Sequence, residues 1–210
     1  MPASVRSLAS ARTTITPAIS QLIVASADDG RWYRDGAPLF TTTGVAVIVG
    51  TEDPTGQNID TFLRFRGIAI PQKATIRSAF LSGVIWQRYA NWASGHLTLI
   101  YGNAIGNAIA PTNTTQANAL VLTSASVAWD NLSGLADGTA IESSDIKTII
   151  QEIVDRADWK SGNALQIVWR NNGSPTKAFV QPYAWDGSET SCLKLTITYS
   201  WPAPVRTLTA

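Results

Sequence analysis

The sequence predicts an all-β fold, an antiparallel sandwich of two sheets with one covering α-helix at about 145–157. About nine segments have strand length and are separated by turn residues at the spacing of a sandwich. Only one segment repeats its apolar residues at helical spacing. Hydrophobic residues make up 45% of the chain and charged residues 15%, so a large core beneath an uncharged, polar surface is expected.

Two of the predicted strands have distinctive patterns. Val45–Gly50 is a continuous apolar run, which indicates burial on both faces, and the turn Glu52–Asn58 follows it. Thr75–Trp86 alternates, which places Ile76, Ser78, Phe80, Ser82 and Val84 on one face. The remaining predicted strands are Ala18–Ala25, Thr61–Arg66, His96–Tyr101, Leu120–Trp129, Ala164–Trp169, Ala178–Gln181 and Leu193–Tyr199.

The predicted helix covers one end or face of the sandwich. Its apolar stripe consists of Ile146, Ile149, Ile150, Ile153 and Val154. Ser143 or Ser144 is expected to cap its first turn. The helix should end near Asp158, where Trp159 folds back as a plug.

The sequence divides into a central domain and two terminal segments. Residues 18–200 form the predicted sandwich domain, which is long enough for one core. Met1–Pro17 contains arginines but no acid and no apolar periodicity, so we expect an N-terminal arm outside the core that contacts a neighbouring subunit. Residues 201–210 are the predicted C-terminal tail, because Pro202 cannot donate to a strand ladder.

The residue types needed for most catalysis are scarce. His96 is the only histidine and Cys192 the only cysteine, so imidazole or thiolate metal sites are not expected, and Cys192 is predicted to be a small buried residue. Carboxylates in loops offer two alternatives, a structural calcium ion or ordinary turn formation; these are Asp28, Asp29, Glu52, Asp53 and Asp60. We therefore predict a protein that is not an enzyme and has no cofactor, with a carboxylate-only glycosidase as the one remaining route to catalysis.

Charge and hydropathy limit the partners. The formal net charge is +1 and the basic residues are scattered, so no nucleic-acid partner is expected. No run reaches the roughly 18 apolar residues that span a membrane, and Met1–Pro17 lacks the apolar core of a signal peptide. We expect a chain made in the cytoplasm with no membrane contact.

Aromatic residues are the best candidates for binding. The chain has eight tryptophans, of which Trp129, Trp159 and Trp169 are predicted to lie in the core. The candidates that fall in predicted loops beside polar residues are Trp32, Tyr33, Tyr89, Trp92, Tyr183 and Trp185. Contact with another protein is the favoured role, ahead of covering the core edge and of stacking on a sugar.

Several segments occur together in an order typical of one family. They are Ser26–Gly30, Phe62–Phe65 with Ile70-Pro71, Ala74–Leu81, Ala128-Trp129, Ile149–Arg156 with Trp159 and Ser161–Asn163, and Leu193–Tyr199. Over about residues 19–199 the chain resembles bacterial and phage jelly-roll modules related to the DNRLRE group and to carbohydrate-binding jelly rolls. Ala157-Asp158 departs from the Pro-Gly that is common there, which alters only the helix exit.

The resemblance implies a two-sheet jelly roll and two possible functions. The first is a structural protein of a bacteriophage virion, on the capsid or tail surface, with a decoration or adhesion role. Its partners would be other virion proteins and further copies of itself, with a host-surface glycan in addition, and the host cytoplasm would be its place of synthesis. The alternative is a free-standing, lectin-like carbohydrate-binding module.

Overall fold

The computed structural model describes residues 14–202, which form two antiparallel β-sheets around a shared core. The strands are β1 (Thr14–Ile15), β2 (Ala18–Leu22), β3 (Asp29–Tyr33), β4 (Phe40–Thr41), β5 (Val49–Thr51), β6 (Asn58–Phe65), β7 (Thr75–Val84), β8 (Thr98–Gly102), β9 (Val127–Ala128), β10 (Ala140–Glu142), β11 (Leu165–Asn171), β12 (Phe179–Val180) and β13 (Lys194–Pro202). The helices are α1 (Thr114–Asn118) and α2 (Lys147–Val154), and Ser26–Asp28 forms a 3₁₀ turn.

The strand pairing is that of a jelly roll. In one sheet β2 pairs with β13, β13 with β7 and β7 with β10; in the other β6 pairs with β11, β11 with β8 and β8 with β9. The pairs β2–β13, β6–β11, β7–β10 and β8–β9 are nested along the chain, as in a long hairpin rolled into two sheets. The predicted fold class is therefore confirmed. The remaining strands extend the sheets, β1 along β13 and β3, β4, β5 and β12 beyond β6.

The core lies between the two sheets and includes the tryptophans predicted for it. Trp159 and Trp169 are 1% and 0% exposed, and Trp129 is also buried. The rings of Trp129 and Trp169 stack with centroids 4.4 Å apart. Trp159 donates from Nε1 to the Ile70 carbonyl at 2.9 Å, which satisfies its polar atom inside the core. The predicted core position of all three tryptophans is confirmed.

Helix α2 is shorter than predicted, and its N-cap position, Ile146, has no side-chain cap. It packs against β7 and β8, one strand from each sheet, and all five residues of its apolar stripe are buried. The predicted serine caps are wrong, because the N-cap position is Ile146. The Ser143 hydroxyl accepts from the Leu81 amide and donates to the Ser144 carbonyl. Asp145 accepts from the Lys147 amide instead, at 2.9 Å.

A second, smaller core lies on the outer face of the larger sheet. Trp32, Phe62 and Val168 point outward there and are covered by Ala117 of helix α1 and by partly buried neighbours. The Asn113 side chain caps α1 by accepting from the Gln116 amide. The sequence predicted only one helix and therefore missed α1. Trp32 and Tyr33, which were predicted to lie in a loop, belong to strand β3.

The ends of the described range lie on one sheet edge. Thr14 and Ile15 pair with Pro202 and Trp201, so β13 runs beyond its predicted end and its ladder includes the proline. Of the predicted arm, residues 1–13 lie outside the described range, as do residues 203–210 of the predicted tail. Within residues 14–202, no helix has the length and apolar character needed to cross a membrane.

Candidate functional site

Trp32 cannot serve as the predicted binding aromatic. It lies in strand β3 and is 1% exposed. Its ring packs against Phe62 in the outer core, and its Nε1 donates to Asn118 Oδ1 at 2.8 Å. The sequence placed Trp32 in a loop because charged and small residues surround it; pairing of β3 with β6 buries it instead.

Tyr33 and Tyr89 are engaged by the two acids that follow β5. The Tyr33 hydroxyl donates to Glu52, and burial together with this bond raises the pKa of Tyr33 to about 12. The Tyr89 hydroxyl donates to Asp53 Oδ2 at 3.0 Å, which raises the pKa of Tyr89. Both tyrosines therefore hold the predicted turn against the sheet.

Trp92 and Trp185 retain accessible ring surface. Trp92 is 41% exposed and lies over Gly134, where an added Cβ atom would be 2.5 Å from the ring. Trp185 is half-buried against the core edge, and its amide donates to Asp29 Oδ2 at 2.9 Å. Tyr183 is half-buried and bridges to Ala46. Among the described residues no ring stacking joins Trp92 with Tyr183 or Trp185, so the predicted aromatics do not form one platform.

Two of the loop carboxylates that were candidate calcium ligands form ion pairs with arginines. Asp28 is fully buried and pairs with Arg64 at 2.9 Å and with Arg66 at 2.7 Å. Asp60 is fully buried between Arg34 and Arg170. A cation at either carboxylate would have to displace guanidinium groups, and the part of the chain that the structure describes holds no cluster of three candidate ligands.

His96 and Cys192 are both buried. His96 Nε2 lies 3.1 Å from the Val49 carbonyl, which assigns the ring proton to this nitrogen, and burial lowers the pKa of His96 to about 4. Burial raises the pKa of the Cys192 thiol to about 11, so it remains protonated and unreactive at neutral pH. Both act as parts of the core.

The structure brings together a polar pocket that sequence reasoning missed. It lies on the outer face of the larger sheet and has a volume of about 270 Å³. Arg34 and Arg170 line it, together with Leu99, Tyr101 and Asn172. These residues come from three separate segments, and no local pattern in the sequence connects them.

An apolar depression of about 490 Å³ lies beside the segment that carries α1. Three exposed apolar side chains line it: Ile109 at 77%, Val121 at 64% and Ile105 at 39% exposed. Arg156 and Asp158 form an ion pair at its rim, with Arg156 Nε 2.8 Å from Asp158 Oδ1. The available sequence signal was isolated β-branched residues within a polar segment, a pattern that also occurs in core-facing loops.

The comparisons with known proteins identify no family. No protein-family model and no curated protein matches the chain. Among solved structures, a chain titled Desmodium yellow mottle tymovirus aligns over 100% of this chain and 98% of its own length, with 12% identity and a TM-score of 0.31. A similarity this weak supports no functional argument, and the jelly-roll assignment rests on the strand pairing. The resemblance to the DNRLRE group stays a prediction.

Proposed function

We propose that this chain is a non-enzymatic structural protein of a bacteriophage virion, a component of the capsid or tail surface with a decoration or adhesion role. The observation that carries the proposal is the apolar depression lined by Ile105, Ile109 and Val121. Contiguous exposed apolar surface with a polar rim is typical of a protein contact. The proposed occupant is another virion protein or a second copy of this chain.

The energetics favour burial of this surface. Fully burying one such side chain contributes about 1.5–3 kcal/mol, and Ile109 and Val121 keep most of their area in water. The rim pair Arg156–Asp158 is solvent-accessible, so it would add register and specificity more than affinity. This combination suits a module that is added to an assembly.

The contacts that acidic residues make within the protein also fit a non-catalytic role. Asp28 and Asp60 are neutralised by arginines, and Glu52 and Asp53 accept hydrogen bonds from tyrosines. Each of these contacts joins distant segments of the sandwich. Their chemistry therefore supports a rigid scaffold whose outer surface makes the functional contacts.

Incorporation into particles tests the proposal. Mass spectrometry of purified phage particles should detect the wild-type chain, and the double variant Ile109→Asp/Val121→Asp should fold but be lost from the particles. Val24→Asp is the matched control, because Val24 is 45% exposed outside the depression and its variant should be incorporated normally. Absence of the wild-type chain from particles would refute the virion assignment, and normal incorporation of the double variant would refute the role of the depression.

A further inference from the structure

We propose that the pocket between Arg34 and Arg170, here called the arginine pocket, binds a sugar residue that carries a carboxylate, such as a uronic acid. The inference concerns a different surface from the apolar depression and does not depend on the virion role. It rests on how the two guanidinium groups are held, on which of their donors are still free, and on what surrounds them.

A buried carboxylate fixes both arginines in place. Asp60 is 0% exposed; its Oδ2 atom lies 2.9 Å from Arg170 Nε and 3.2 Å from Arg34 Nη1. Its Oδ1 atom accepts from the Asn171 amide at 2.9 Å. Arg34 Nη1 also donates to the Asn171 carbonyl at 3.1 Å. The guanidinium groups are therefore pre-organised, which lowers the entropic cost of binding a ligand.

Each guanidinium keeps donors for a ligand. Within residues 14–202, Arg34 donates only through Nη1 and Arg170 only through Nε. Both side chains are 26% exposed, and both line the pocket. Arg34 and Arg170 carry two positive charges and Asp60 at most one negative charge, so at least one positive charge remains at the pocket wall. The nearby acid Asp35 is hydrogen-bonded to Asn58 and does not line the pocket.

The free donors match a carboxylate. Guanidinium groups present paired N–H donors in a plane, and carboxylates accept them in a bidentate manner. One excess positive charge complements one negative charge. The arginine pocket therefore has the positive charge and the free donors that a singly charged, planar oxyanion needs.

The rest of the wall favours a ring over a bare anion. Leu99 and Tyr101 are half-buried and provide apolar and aromatic surface, and the exposed Asn172 lies beside them. A sugar ring offers an apolar C–H face to such surface and hydroxyls to an amide. The volume of about 270 Å³ is just below the range of about 300–1,000 Å³ of sites for drug-sized ligands, which suits one sugar residue of a chain.

Titration followed by NMR tests the proposal with three probes, D-glucuronate, D-glucose and inorganic phosphate. Saturable shifts are expected for amides of residues 99–101 and 170–173 with glucuronate. Because charge-assisted hydrogen bonds are lost, glucose should bind at least about ten-fold more weakly. Phosphate lacks the ring and should also bind more weakly. Absence of saturable shifts with glucuronate, or equal binding of glucose or phosphate, would overturn the proposal.

Variants separate the pocket from general charge. Arg170→Lys keeps the charge but loses the fork of donors and should weaken glucuronate binding at least about ten-fold. Arg77→Lys is the matched control, since Arg77 lies on the other sheet and donates to Ser200; its affinity should equal the wild type. Asn172→Ala leaves the Asp60 contacts intact and should also weaken binding, which decides the matter if Arg170→Lys does not fold. Unchanged affinity in Asn172→Ala and in any folded Arg170→Lys would refute the site.

Discussion

Asp29 should make the free energy of unfolding fall as the pH rises from about 4 to about 7. Its side chain is buried, with Oδ2 accepting from the Trp185 amide, and Oδ1 has no hydrogen-bond partner within the described range. Burial raises the pKa of Asp29 from 3.8 to about 7. Between these values the folded state holds a proton that the unfolded state has lost. The difference, 7 − 3.8 = 3.2, corresponds to about 4 kcal/mol at about 1.36 kcal/mol per pKa unit.

His96 should oppose this trend. Burial lowers its pKa from 6.5 to about 4, so between these values the unfolded state holds a proton that the folded state lacks, and stability rises with pH. The difference, 6.5 − 4 = 2.5, corresponds to about 3 kcal/mol. In the wild type the two contributions largely cancel between about pH 4 and 6.5.

Asp29→Asn removes one of the two contributions. Asparagine can still accept from the Trp185 amide but does not titrate. Urea unfolding followed by circular dichroism gives the free energy of unfolding at several pH values between about 4 and 7. The value for the variant minus that for the wild type should increase with pH by up to about 4 kcal/mol. His96→Gln is the reciprocal control. Its free energy of unfolding minus that of the wild type should decrease by about 3 kcal/mol from about pH 4 to 6.5. A constant difference for Asp29→Asn across this range would refute the reasoning.

Three further outcomes are expected. Ile153→Asp places an unpaired charge in the core and should prevent stable folding, whereas Ile153→Val should cost only about 0.5–1.5 kcal/mol in urea unfolding; wild-type stability of the Asp variant would contradict the packing of α2. Trp92→Ala and Trp185→Ala should each weaken attachment to a partner protein or glycan by about 1–2 kcal/mol if they are hot spots. Trp92→Ala should melt near the wild-type temperature, whereas Trp185→Ala should melt lower because Trp185 packs on the core edge. Unchanged affinity in both variants would exclude these residues as anchors. Deleting residues 1–13 should leave the melting temperature unchanged and weaken assembly; an unfolded truncation would show that this segment belongs to the core.

The sequence predicted features whose cause is local. Helical spacing identified the buried isoleucines of α2, and apolar strands identified Val49 and Trp169 as core residues. Such residues can be predicted because the period of a helix or strand determines which side chains share a face. The helix start was not predicted, because it involves Asp145, whose carboxylate accepts from the Lys147 amide in the first turn and also from the amide of Ala79 on the distant strand β7.

A bulge in strand β7 changes which of its residues face the core. The alternation along β7 placed Ile76 and Phe80 together, but Ile76 is buried with Ala79 and Leu81, whereas Phe80 is only half-buried. The register with β13 shifts between the pairs Ser78–Thr198 and Ile76–Tyr199, so Arg77 has no opposite residue on β13. A bulge of one residue exchanges the two faces, and its position depends on the partner strand.

Only the tertiary structure determined the candidate sites. The arginine pocket combines Arg34, Tyr101 and Arg170, which lie far apart in the chain and meet because β11 pairs with both β6 and β8. The same pairing buries Asp60 between the two arginines. Local sequence patterns encode which residues are buried. A site assembled across strands depends on register and on long-range charge pairing, which involve residues that no local window contains together.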